Sequence, residues 1–278
     1  MKLIFVNRYF HPDHSATAQL LSDVAFHLAA EGAEVHVITS RSRYDEPDAG
    51  LTRREETDGV QIHRVSSTHF GRSRLRGRLL DYLSFHLSAT LTLWRLAAPQ
   101  DVVVIKTDPP LFAVTALPIL RRRRALLVNW LQDIFPEVAA ESGLFSGSSL
   151  VYRVSRKLRD RTLARATFNV AISEAMKRHL NGLGIEEARI RVIPNWSDGK
   201  AIHPVPADRN ELRTSWGLKS AFVVGYSGNL GRVHEIDTVA QELLRRTQAG
   251  SRPVRLVGVS LSSLVRSEPD PAQLSLFD

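Results

Sequence analysis

The feature that most constrains this chain is an alternation of short apolar runs with stretches of helical spacing. Leu3–Val6, Val35–Thr39, Val60–Val65, Asp101–Lys106, Leu126–Trp130 and Phe168–Ala171 read as strands. Between the first two, Ala18, Leu21, Ala25, Leu28 and Ala29 recur at helical spacing, and Gly32 supplies the stop. Strands that are apolar throughout, separated by helices, belong in a parallel sheet covered on both faces. The pattern predicts an α/β fold with a doubly wound parallel sheet over residues 1–193. Pro194, Pro204 and Pro206 then punctuate a polar crossing segment, and a helix at Arg209–Trp216 and a strand at Ala221–Tyr226 begin a second α/β unit.

Composition narrows the function classes. The absence of cysteine removes disulfides and thiolate chemistry. No run of 18 uncharged apolar residues occurs, and Met1-Lys2 leads directly into a strand, so neither a spanning helix nor a signal peptide is expected and the expected location is cytoplasmic. A net charge of +8 calls for an anionic partner, either nucleic acid or a phospholipid surface. The charge gathers at Arg72, Arg74, Arg76 and Arg78 and again at Arg121, Arg122, Arg123 and Arg124, on either side of Leu79–Leu96, a helix-like run rich in Leu, Phe, Tyr and Trp. Arginines beside an amphipathic aromatic helix suit an anionic bilayer, each contributing about 1 kcal/mol near the surface. The alternative is a core helix with a solvated basic end. No DNA- or RNA-reading motif accompanies the charge, so no direct nucleic-acid partner is expected.

Three loops fall where an open α/β sheet binds ligands, at the carboxyl ends of its strands. The first, Arg8 to Ala16, offers His14, Ser15 and Ala16; its His11, Asp13 and His14 lack a recognised ligand spacing, and no metal is expected. The second, after Trp130, holds Asp133 as a catalytic or acceptor-orienting carboxylate, with a helix-capping or turn role beside Pro136 as the alternative. The third follows the strand of the second unit, where Gly228 and Gly231 let a diphosphate approach the backbone at a helix start and Asn229, Arg232 and His234 supply donors. An ordinary tight turn is the alternative there.

The segments FVNRYFHPDHSATAQLLSDVAFHLAAEGAEVHVITSR, NWLQDIFPEVAAESG, AISEAMKRHL, RIRVIPNWSD and GYSGNLGRVHE occur in this order. Together they resemble the retaining family-four glycosyltransferases of bacterial surface-polysaccharide synthesis, over residues 1 to about 236. The resemblance implies two facing Rossmann-like domains: an acceptor-binding domain at 1–193 and, from 194 to 236, a linker with the start of a nucleotide-sugar-binding domain. It implies transfer of a sugar from a nucleotide-diphosphate sugar to a lipid-linked or polysaccharide acceptor, by an enzyme peripheral at the inner face of the plasma membrane. The nucleotide sugar is a substrate and no cofactor is implied. Asn195 joins the donor-binding set through the segment IPNW. Many relatives carry arginine after the first glycine of the third loop, lysine near its helix start and a glycine pair in the first loop; here Asn229, His234 and Ser15-Ala16 stand in those places. The family has no agreed protein nucleophile, so orientation and stabilisation of the departing diphosphate are the expected work.

The last 40 or so residues are similar to the C-terminus of Y-family DNA polymerases of the DNA polymerase IV type. A helix and the strand Arg252–Leu261 fill 237–265, and residues 266–278 read as a disordered tail ending in a sliding-clamp-binding motif of Gln273, Leu274, Leu276 and Phe277. The chain therefore reads as a chimera. The donor domain's later motif of two glutamates along a helix is not found, so weak donor binding and negligible transfer are expected. A non-catalytic clamp-binding chimeric protein is the alternative function.

Overall fold

The computed structural model describes residues 1–46, 48–70, 75–143, 146–200 and 203–218, and the backbone of Val223–Ser227 and Leu256–Ser260. In chain order the elements are β1 (Leu3–Val6), α1 (Ala16–Ala30), β2 (Val35–Ser40), β3 (Arg54–Thr57), β4 (Val60–Val65), α2 (Leu75–Leu96), β5 (Val102–Lys106), α3 (Phe112–Arg123), β6 (Leu126–Trp130), α4 (Glu137–Glu141), α5 (Leu150–Arg165), β7 (Phe168–Ala171), α6 (Glu174–Gly182), β8 (Ile190–Val192), α7 (Glu211–Ser215), β9 (Val223–Ser227) and β10 (Leu256–Ser260). Contacts divide the chain into a unit at 1–197 and a second at 198–278.

The first unit holds an eight-stranded sheet in the order β3-β4-β2-β1-β5-β6-β7-β8. All pairings are parallel except β3 with β4. Apolar side chains on both sides of each central strand require helices on both faces. α1 covers one face, with Leu20, Leu21 and Ala25 packed on Phe5, Val37 and Ile62. α2 and α3 cover the other, where Phe85, Ala89, Leu93, Phe112 and Leu120 meet Ile4, Val6, Val103 and Ile105. A third cluster joins Leu131, Leu163, Ala171, Leu180 and Ile190 near the β7–β8 edge. Ser149 and Ser173 start α5 and α6 by accepting the N–H of Tyr152 and Met176, each at 3.1 Å. The Rossmann-like architecture expected from the alternation is present.

Two strands escaped the sequence reading. β3 forms a hairpin with β4 through Asp58 and Gly59, both at positive φ (46° and 77°), the pair that a tight two-residue turn demands. β8 is three residues long and pairs with β7 through Ile190, Arg191 and Val192. In the second unit β9 and β10 pair in parallel. The polymerase-like strand thus lies in one sheet with the strand that begins the second α/β unit.

Candidate active site

Chain order runs outward from β1 in both directions, through β2 and β4 on one side and β5 to β8 on the other, so the strand order reverses between β1 and β5. At such a switch the loops leaving neighbouring strands diverge and open a crevice at the carboxyl edge. Arg8, just beyond β1, ties this corner together: its N–H donates to the Asp108 carbonyl (2.8 Å), and its own carbonyl accepts from Ser40 N–H and the Thr39 hydroxyl, each at 3.0 Å.

The first loop is ordered by Asp13. This buried carboxylate accepts the Ser15 N–H at 2.7 Å and the Tyr44 N–H with its other oxygen. Ser15 is the residue before α1 but its hydroxyl caps no helix N–H, and no acidic residue lies in the first turn. His14 and Ala16 are exposed beside it. The positive end of α1 therefore faces the crevice without a side-chain cap.

A cationic cluster closes the α2 side. The Arg8 guanidinium lies 5.2 Å from the ring centroids of both Tyr9 and Tyr82, with Asp81 at 3.9 Å. Arg78 lies 5.4 Å from the Tyr82 ring and donates to its hydroxyl at 2.9 Å. From here α2 presents Leu79, Leu80, Leu83, Leu87, Leu91 and Trp94 to solvent, a stripe at helical spacing, while Phe85, Ala89 and Leu93 are fully buried behind it. Arg122 and Arg123 lie over Trp94 at its far end, 5.9 and 4.7 Å from the ring centroid. The helix is thus both core element and exposed apolar face. Arg76 and Arg78 are exposed at its start, Arg121 and Arg122 are exposed in the last turn of α3 and Arg124 just beyond it, and Arg72 and Arg74 lie outside the described residues.

Lys106, the last residue of β5, was not singled out by the sequence. It is 2% exposed, its Nζ lies 3.6 Å from the Trp130 ring centroid, and that Nζ has no hydrogen-bond partner among the described residues. Burial lowers its pKa to about 7. Trp196 stacks against Trp130, centroids 6.0 Å apart and planes at 21°, and donates its ring N–H to Asp23 Oδ2 of α1 at 3.0 Å. Asn195 beside it donates to Gln132 Oε1 at 3.1 Å. The Asn195-Trp196 segment that follows β8 therefore folds back over the ends of β6 and β5.

Asp133 follows β6. One side of it is open to solvent, yet packing around the carboxyl raises its pKa. It lines a cavity of about 50 Å³ with Lys106, Phe112, Asn129, Arg159 and Thr162. That space suits a few waters, well below the roughly 300–1,000 Å³ of a pocket enclosing a whole ligand. Arg159 is buried in ion pairs with Glu137 and Asp160, each at 2.7 Å. The first-loop residues, Asp133 and Asn195 thus all lie along one edge of one sheet. Gly228, Asn229, Gly231, Arg232 and His234, and the tail residues Gln273, Leu274, Leu276 and Phe277, lie outside the described residues.

Similarity to known proteins follows this geometry. Residues 16–196, well over half of the chain, match the family model described as Glycosyl transferase 4-like domain. Residues 219–276 match the impB/mucB/samB family C-terminal domain, a match that begins before the expected boundary near 237 and takes in the Gly228 loop. WbjE of Pseudomonas aeruginosa, a probable glycosyltransferase, is 28% identical over 179 residues, 63% of this chain and 44% of that protein. WcaI of Escherichia coli K12, a putative colanic acid biosynthesis glycosyl transferase, is 25% identical over 254 residues, 87% of this chain and 62% of that protein. The chain spans less than two thirds of either relative. Among solved structures, Anabaena HepE in complex with UDP-glucose superposes with a TM-score of 0.53 at 18% identity, covering 93% of this chain and 59% of that one. Sucrose-phosphate synthase from Thermosynechococcus elongatus superposes at 0.60 with 14% identity, covering 88% and 60%. On a match that runs from the start of α1 past β8 and covers well over half of its length, the chain belongs to the Glycosyl transferase 4-like domain family.

Proposed function

We propose that the chain takes part in moving a sugar from a nucleotide-diphosphate sugar to a lipid-linked or polysaccharide acceptor in cell-surface glycan synthesis, at the inner face of the membrane. The observation that carries this reading is the junction of the crevice with α2: the Arg8–Tyr82–Arg78 cluster passes directly into the exposed leucine stripe. A lipid-linked sugar needs that combination, cations for its phosphates and an apolar face toward the bilayer. The relatives' names, which include colanic acid synthesis, supply the glycan context. The donor is assigned to Asn195 and the Gly228–His234 loop, and Asp133 to orienting the acceptor hydroxyl, its raised pKa suiting proton exchange. Calorimetry with a panel of nucleotide sugars, and labelled-sugar transfer to lipid-linked acceptors in vesicles, test the proposal. Saturable donor binding is expected; absence of both binding and transfer would overturn the reading.

A second reading rests on the match at 219–276. In it the terminal Gln273–Phe277 peptide docks on a bacterial sliding clamp through Leu276 and Phe277, with affinity on the order of micromolar for so small a contact. Titration of clamp with the labelled tail decides it, since loss of binding on Phe277→Ala is required.

A further inference from the structure

Lys106 is an anomaly in energetic terms. A buried ammonium with no counter-ion costs folding free energy, and ordinary lysines escape by extending the head to water. Here the chain ends the strand Val-Val-Val-Ile-Lys with it and covers it with the Trp130 indole.

Among the described residues, the buried polar atoms without a partner at the ends of β1, β5 and β6 are four donors, Arg8 Nε, Lys106 Nζ, Trp130 Nε1 and Gln132 Nε2, and one acceptor, Asn7 Oδ1. Lys106 and Trp130 are neighbours in register, and Trp130 packs in the cluster beneath α1, whose uncapped N-terminus opens toward the same edge. An excess of donors over acceptors, beside a positive helix end, makes a receptor for an oxyanion. The ring on Lys106 is that of Trp130, which is itself stacked on Trp196, a residue 38% exposed that is tied to α1 by its hydrogen bond to Asp23.

We propose that Lys106 is a diphosphate-binding residue, reached when the Trp130–Trp196 stack opens, with the phosphate oxygens taking the hydrogen bonds that Lys106 Nζ, Trp130 Nε1 and Gln132 Nε2 now lack. The class of anion rests on the proposed function; the receptor itself rests on the geometry. The diphosphate comes from a nucleotide sugar or from a lipid-linked acceptor. The charged and titratable groups on the surrounding elements include Arg8 after β1, Asp13 and His14 of the first loop, Asp23 of α1, Asp108 after β5 and Asp133 after β6. Asp13 and Asp23 are already engaged, by backbone N–H groups and by Trp196. An ammonium that is part neutral near pH 7 must become fully charged against a phosphate, so binding draws a proton from solution.

Calorimetry on the full chain with pyrophosphate, UDP and farnesyl diphosphate, near pH 7 in two buffers of different ionisation enthalpy, tests this together with tryptophan fluorescence. Saturable binding, net proton uptake and a fluorescence change are expected. Lys106→Met should weaken binding at least tenfold and abolish the uptake, with an unchanged or higher melting temperature. Lys106→Arg, charged throughout, should bind without proton uptake, and it carries the test if the methionine variant does not fold. A preference for UDP assigns the donor and a preference for farnesyl diphosphate the acceptor. Failure of all three anions to bind, or affinity and uptake unchanged in Lys106→Met, overturns the proposal. Lys106-dependent pyrophosphate binding with neither nucleotide-sugar binding nor sugar transfer would sink the proposed function and leave this inference standing; UDP binding unchanged by both variants would do the reverse.

Discussion

Asp101 and Lys106 bracket β5 and stand in opposite electrostatic situations. Asp101 accepts the N–H groups of Lys2 and Ala98 at 2.8 and 2.9 Å and pairs with Lys2 Nζ at 3.3 Å. Burial works to raise its pKa, and these bonds outweigh burial and hold it below the usual carboxylate value. Asp101→Ala is expected to cost about 2 kcal/mol, because it orphans two backbone donors, and urea unfolding measures it. A depressed carboxylate stabilises the fold above its unfolded pKa, and that contribution is lost as acid protonates it. Lys106 has the opposite dependence. Its folded pKa is about 7, whereas the unfolded lysine keeps its proton to about 10.5, so between these values the unfolded state binds more protons and stability rises with pH. Unfolding at pH 7, 8.5 and 10 should show that rise in the native chain and its loss in Lys106→Met. Asp101 was legible only as the polar first residue of the apolar run Asp101–Lys106, one position before the strand begins. Lys106 gave no sign of its burial, because a lysine after Val-Val-Val-Ile normally marks a solvated strand end; in the fold it lies over the Trp130 indole.

At the scale of elements, α2 carries two faces that a single substitution series can separate. Phe85→Ala should destabilise by about 3–5 kcal/mol, since the ring is fully buried between helix and sheet. Leu83→Glu with Leu87→Glu should leave the melting temperature nearly unchanged, Leu87 being 75% exposed, yet remove co-sedimentation with anionic vesicles. Native co-sedimentation should itself weaken with salt. The β2–β4 pairing makes a third prediction. His36 Nδ1 lies 3.0 Å from His63 Nε2, and burial followed by the neighbouring His36 lowers His63 to about 4. The unfolded histidine protonates near 6.5, so stability should fall as pH drops from there toward 4, and His63→Gln should flatten that slope. Leu3–Val6 was legible because it is apolar throughout, Leu126–Trp130 because it is nearly so, and Val60–Val65 because its apolar residues alternate along the strand. β3 was not, because Arg-Glu-Glu-Thr at a sheet edge buries nothing large; the Asp58-Gly59 pair was its one usable signal.

Across the whole molecule, all three core clusters fall within residues 3–190, so the first unit holds its own interior. A fragment of residues 1–197 is expected to melt cooperatively with native-like circular dichroism; a non-cooperative transition would show that its core depends on residues beyond 197. The order of apolar runs was enough to determine the doubly wound sheet, because burial on both faces leaves few other ways to place such strands, and the ordered motifs were enough to determine the family. The crevice at the β1–β5 switch followed from topology once the strands were known. What only the tertiary structure decided was the content of that crevice. Lys106 meets Trp130 across two strands, Trp196 reaches Asp23 across 173 residues, and Arg8 meets Tyr82 from another element. Periodicity reports which face a residue occupies, whereas these contacts depend on how distant segments close over one sheet edge.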